Sequence, residues 1–135
     1  MRILPILLAG LLATGCSPTR DMGEAQAAIA MFHSAYNRDD YNQILAHASG
    51  PMNSPGSVSK MMRLLRAAKT KLGPFETGKL GGWRVNYTPS GKVTSATYAS
   101  SFRDGQASEN FVFIEVDGAK RLAGYTINSD AFFPE

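Results

Sequence analysis

The sequence predicts an α+β domain: three N-terminal helices packed on a curved four-stranded antiparallel meander, preceded by a short apolar leader. Three observations carry that prediction. Apolar residues recur at helical spacing between Met22 and Leu72, and from Phe75 onward the period falls to two. Turn signals at Pro89-Ser90-Gly91, Asp104-Gly105 and Asp117-Gly118 divide the second half into four strand-like segments. Helices first and hairpin-linked strands after is the order of a layered α+β domain.

The leader comes first. Met1-Arg2 supplies a positive end, and Ile3 to Leu12 form an apolar run of the length found in signal peptides. It is too short to span a bilayer, which takes about 20 apolar residues. Leu12-Ala13-Thr14-Gly15-Cys16 follows and holds the only cysteine of the chain. This stretch resembles the lipobox of bacterial lipoproteins, with Ala13 where leucine is usual and Leu12 one place further back. The resemblance implies a signal peptide at 1–15, cleaved before a lipidated Cys16, then a short tether to residue 21 and a single domain at 22–135. Plainer alternatives are a secretory signal with a leftover thiol, or a buried N-terminal helix. As the resemblance implies, Ser17 permits transfer to the outer membrane, on its periplasmic face. A lipidated Cys16 leaves no thiol for a disulfide, although the periplasm would allow one.

Composition bounds the rest. Removing residues 1–15 from the 135 leaves 120, enough for one domain with its own core. Loss of Arg2 turns fourteen basic against eleven acidic residues into thirteen against eleven, a formal +2. That excess is too mild to argue for nucleic acid.

Asp21 and Glu24 have the spacing of a capping box, opening a helix over about Met22–Tyr36 with Met22, Ala25, Ile29, Phe32 and Tyr36 on one stripe. His33 falls at the stripe's edge and reads as a boundary residue. Asn37-Arg38-Asp39 breaks this helix, and a second follows over about Asp40–Ala48, carrying His47. Gly50-Pro51 ends it, and Asn53-Ser54-Pro55-Gly56 reads as loop. Ser57 is the expected cap of the third helix, Val58–Leu72, which Gly73-Pro74 terminates. Its core stripe is Val58, Met61, Leu64, Leu65, Ala68 and Leu72. Lys60, Arg63, Arg66 and Lys69 occupy the opposite face, with no acid in the sequence between Asp40 and Glu76. The plain reading is a solvated surface. The sharper one is a basic contact face for anionic lipid or an acidic protein partner.

The expected strands are Thr77–Tyr87, with a bulge at Gly81-Gly82, then Val93–Arg103, Glu109–Asp117 and Lys120–Asn128. Phe111–Val116 is nearly continuous apolar sequence and reads as an interior strand. Glu115 is expected to point outward, between Ile114 and Val116. Phe132 and Phe133 are expected to cover an edge or end of the core.

The Asp39-Asp40-Tyr41 corner, Leu72-Gly73-Pro74 entering the first strand and Leu122-Ala123-Gly124-Tyr125-Thr126-Ile127 near the end resemble a family of bacterial periplasmic domains. That family is related to the nuclear-transport-factor-two-like, cone-shaped superfamily. The resemblance covers about residues 22–130. It implies a cone enclosing a pocket, and relatives use a pocket aspartate as base with tyrosine or a protonated acid as oxyanion donor.

No such chemistry is legible in this sequence. Asp21, Asp39 and Asp40 fall at helix starts and Asp104 and Asp117 at turns, where structure explains them. Two histidines far apart and one lipidated cysteine suggest neither a metal site nor a nucleophile–base pair. No glycine-rich phosphate loop appears, and no cofactor is expected. The expectation is a non-catalytic membrane-anchored periplasmic lipoprotein that binds a protein partner or supports the envelope. The alternative is a carrier or sensor of a small apolar ligand in a cone pocket lined by Tyr98, Phe102, Phe113 and Tyr125.

Overall fold

The computed structural model describes residues 18–133; Cys16 and the leader lie outside the described residues. Helix α1 (Pro18–Asn37) buries Ala25, Ile29, Phe32 and Tyr36, at four- and three-residue spacing along one stripe. The helix already includes Pro18, so residues 18–21, read above as tether, are helical. The Asp21–Glu24 capping box does not form. Asp21 Oδ1 lies 2.6 Å from Lys92 Nζ and 3.3 Å from Lys120 Nζ, and Glu24 accepts from Arg20 Nε at 2.8 Å. Charged donors, the Lys92 and Lys120 ammonium groups from the sheet for Asp21 and the Arg20 guanidinium one turn back for Glu24, take these carboxylates in place of backbone N–H groups.

Asp39, at φ 57°, turns the chain into α2 (Tyr41–Ala46), whose cap Asp40 accepts from the Gln43 N–H at 3.2 Å. The chain then runs beside the sheet, where His47 O and Ser49 N bond the two backbone groups of Leu122 at 2.9 and 2.8 Å. A 3-10 turn at Gly50–Asn53 leads to α3 (Pro55–Leu72). Ser54, not Ser57, is its cap, accepting from the Ser57 N–H at 3.3 Å, with Pro55 in the first turn. Proline suits that position because the first N–H groups have no intrahelical partner. Met61, Leu65, Ala68 and Leu72 are buried as the periodicity predicts, with Val58 and Leu64 at the margin.

Four strands follow: β1 (Phe75–Thr88), β2 (Gly91–Phe102), β3 (Gly105–Val116) and β4 (Ala119–Asn128). They form an antiparallel sheet in the order β1-β2-β3-β4, so β3 is interior. The helices and one face of the sheet share a single core. A register shift between Leu80 and Gly82 is the expected bulge. It exchanges the faces of β1, so that Leu80 before it and Trp83, Val85 and Tyr87 after it all share the face of Tyr98, Ala96 and Thr94 on β2. Gly78 is required in this strand, because the Tyr98 ring would come within 2.2 Å of a Cβ there.

Two outward or covering roles are corrected. On β3 the residues that face the helices are Ala107, Glu109, Phe111 and Phe113, and Glu115 keeps that parity. The phenylalanines set the face, and Ile114 and Val116 are the residues left half-buried on the other side. At the chain's end Phe132 packs against the core, but Phe133 is 78% exposed.

Candidate functional site

The deepest polar feature is a carboxylate. Glu109 is fully buried on β3 beside Phe111, and three donors converge on it. His33 Nε2 on α1 lies 2.7 Å from Oε1, and the Ser100 hydroxyl on β2 bonds the same oxygen. The Tyr125 hydroxyl on β4 donates to Oε2 at 2.5 Å. A helix and all three of the strands β2, β3 and β4 therefore meet at one acid. Convergent donors are what the acceptor oxygens of a carboxyl group require when it is taken out of water.

The surroundings seal the cluster. The His33 ring stacks on Phe75 with centroids 3.6 Å apart, and Phe111 meets its edge at 5.8 Å. Phe32 closes against Phe111 at 5.1 Å and Tyr125 at 4.6 Å. Burial, and next the Glu109 carboxylate, push the Tyr125 phenol well above its ordinary range. Tyr125 therefore stays a neutral donor. His33 is thus a buried partner of an acid, not the boundary residue its place at the stripe's edge suggested. The available signal was Glu109 itself, an acid at the parity of Phe111 and Phe113 in the most apolar strand.

The four residues expected to line a cone pocket all face the helices, and three of them lie in the packed core. Phe102, Phe113 and Tyr125 are buried in the core and Tyr98 is half-buried across Gly78. Phe113 alone of the four borders a cleft of about 170 Å3 between α1, α2 and the sheet. Met31, Phe32, Ile44, His47 and Leu122 are among its other walls. His47, the C-cap of α2, turns its Nδ1 back to Gln43 O at 2.9 Å. A carbonyl only accepts, so Nδ1 carries the proton.

The basic face loses one member. Lys69 Nζ donates to Tyr36 O at 3.0 Å, Asn37 O at 3.2 Å and Asp39 Oδ1 at 3.0 Å, and lies over the Tyr36 ring. It closes the C-terminus of α1, where the last carbonyls lack helical partners. The fold supplies from the α1–α2 corner, at Asp39, the acid that the sequence around α3 lacks. Lys60, Arg63 and Arg66 remain exposed. A second charged cluster joins Asp21, Lys92, Lys120 and Glu115 at the start of α1. Hydrogen bonding from Lys92 holds the Asp21 carboxyl below its usual range, and the same bond raises Lys92.

Among the described residues no group of three or more His, Cys, Asp or Glu side chains could hold a metal ion. No helix among them is long and apolar enough to cross a membrane. No family model matches the chain, and no curated protein does. Among solved structures it is similar to Aln2 from a Streptomyces species, with a TM-score of 0.52 and 15% identity. The match covers 86% of this chain and 94% of that one. At such identity the likeness concerns the fold alone, helices packed on one face of a four-stranded antiparallel sheet.

Proposed function

We propose that this chain is a membrane-anchored, non-catalytic binding domain of the bacterial envelope, held by lipid on Cys16 at the periplasmic face of the outer membrane and engaging a protein partner. The observation that carries the non-catalytic part is the sealing of Glu109. Glu109, fully buried on the helix-facing side of the sheet, has its oxygens bonded by His33, Ser100 and Tyr125 and is walled by aromatic rings. A general acid or base must reach a substrate proton within hydrogen-bond distance, and this group is committed to its own neighbours. The anchoring part is supported by the lipobox-like stretch ending at Cys16. More than one acyl chain gives lasting attachment, since each buried methylene contributes about 0.8 kcal/mol.

The test is metabolic labelling with an alkyne fatty acid, followed by fractionation. Wild-type chain should take up label and sediment with outer membranes through a high-salt wash, and Cys16→Ser should do neither. Label or salt-resistant attachment retained by Cys16→Ser would remove the anchor.

A second reading is favoured by the cleft between α1 and α2. Its volume is close to that of an engineered cavity of about 150 Å3 known to hold benzene. In this reading a single-ring apolar molecule lodges there, in place of the cone interior. Saturation-transfer NMR with p-cresol tests it: binding abolished by Ala28→Leu, which fills the cleft from its α1 wall, supports the cleft, and no transfer dismisses it.

A further inference from the structure

We infer that the outer edge of β1 is a docking site for an extended acidic segment of a partner protein, added to the sheet as a further strand. The inference rests on the binding-domain reading and names its surface and the chemistry of its partner.

The two edges of the sheet differ. On β4 the chain itself covers the middle of the edge, through the bonds that His47 and Ser49 make to Leu122. Among the described residues, the 14 residues of β1 pair with β2 on one side only. At its start Asn37 bonds both backbone groups of Phe75, at 2.9 and 2.8 Å. Between Thr77 and Asn86, no described backbone bond leads anywhere but to β2. Alternate N–H and C=O groups of an edge strand project away from the sheet, and a long open edge is a template for another strand.

The side chains on this edge specify the visitor. After the bulge Trp83 and Val85 share the helix-side face, Trp83 36% exposed and Val85 half-buried. On the other face Lys79 and Arg84 are exposed, and neither has an ion pair among the described residues. The single acid of the strand, Glu76, lies at its far end. A second copy of β1 would bring the same cations to the junction, and like charges across a ladder destabilise it. The complementary strand alternates carboxylates, to meet Lys79 and Arg84, with apolar side chains, to cover Trp83 and Val85.

Trp83 is the chain's only tryptophan, so its emission reports on this edge directly. The full chain in neutral detergent micelles is titrated with a synthetic peptide of about nine residues alternating glutamate and valine, near the usual strand length. Controls replace glutamate by lysine, or place proline at the centre, which removes a ladder donor. The expected result is a saturable blue shift with the glutamate peptide and none with either control. Lys79→Glu with Arg84→Glu should weaken it about tenfold and transfer binding to the lysine peptide. Equal shifts with glutamate and lysine peptides, no shift with the glutamate peptide, or a shift on raising protein concentration alone would each overturn the proposal. A photo-crosslinking residue is placed in intact cells at Asn86 or at Arg63. Capture at Asn86 that is lost on reversing Lys79 and Arg84 supports the edge. Capture at Arg63 alone overturns the edge and leaves the binding-domain reading intact, and capture at neither overturns both.

Discussion

Glu109 and Arg84 lie on strands of the same sheet, and the molecule treats them in opposite ways. Glu109, on interior β3, has no exposure and draws donors from α1, β2 and β4. Arg84, on edge strand β1, is exposed and has no ion pair among the described residues. Burial makes an unpaired charge costly, so an interior acid has to be answered from within the fold. An edge strand has no such requirement, because water satisfies it until something better arrives. The contrast separates polar groups that build this domain from polar groups that a partner could use.

The largest expected effect lies on the interior side. Glu109→Ala strips the acceptor from His33, Ser100 and Tyr125 at once and should cost about 3–5 kcal/mol in denaturant unfolding. Replacing His33 by Leu and Glu109 by Met together should cost less than the single changes summed, since a buried pair exchanged for apolar packing is often tolerated. A loss under about 1 kcal/mol for Glu109→Ala would mean that water already reaches the cluster, and the contrast with β1 would collapse.

Leu65 sharpens the comparison within the apolar core. It is fully buried on α3, and Leu65→Ala should cost about 2–5 kcal/mol. A loss below roughly 0.5 kcal/mol would place that stripe at the surface.

Asp21 tests the electrostatic clasp between α1 and the sheet. Its carboxyl is held below the usual range by Lys92, so its folded pKa lies under the unfolded value of about 3.9. The stability it contributes is present above that unfolded value and is lost as pH falls through the folded one. Asp21→Asn should therefore cost about 1–3 kcal/mol at neutral pH and flatten the acid limb of the stability profile below about pH 4. An unchanged acid limb would show that the clasp does not hold in solution.

The smallest expected effect on folding belongs to the exposed cations of α3. Arg63→Glu with Arg66→Glu should shift stability by no more than about 0.5 kcal/mol per site. It should weaken any salt-sensitive binding of the chain to anionic vesicles, because exposed charges are screened beyond about 8 Å at physiological salt. Salt-insensitive binding would point away from this face.

Much of the architecture was legible because period and punctuation report directly on backbone geometry. The core stripe of α3 follows from 3.6-residue spacing, and the skipped step at Gly81-Gly82 follows from broken alternation in β1. Helix starts were less legible. α1 already includes Pro18 and α3 opens at Pro55, each ahead of the polar residue that looked like its cap, and Asp21 is claimed by lysines 71 and 99 residues away. Local patterns cannot show a competitor that only the fold brings near. The same limit hid the pairing of His33 with Glu109 across 76 residues and the use of Lys69 to close α1. The parity of Glu109 was readable, whereas the identity of its partners required the docking of α1 over β3.

Hydrogen exchange of the full chain, resolved by residue, tests the sealed interior and open edge together. Amides of β3 around Glu109 and Phe111 should exchange only at the rate of global unfolding, and alternate amides of β1 between Thr77 and Asn86 should exchange orders of magnitude faster. Uniform protection along β1 in dilute protein, or rapid exchange at Glu109 and Phe111, would contradict the account.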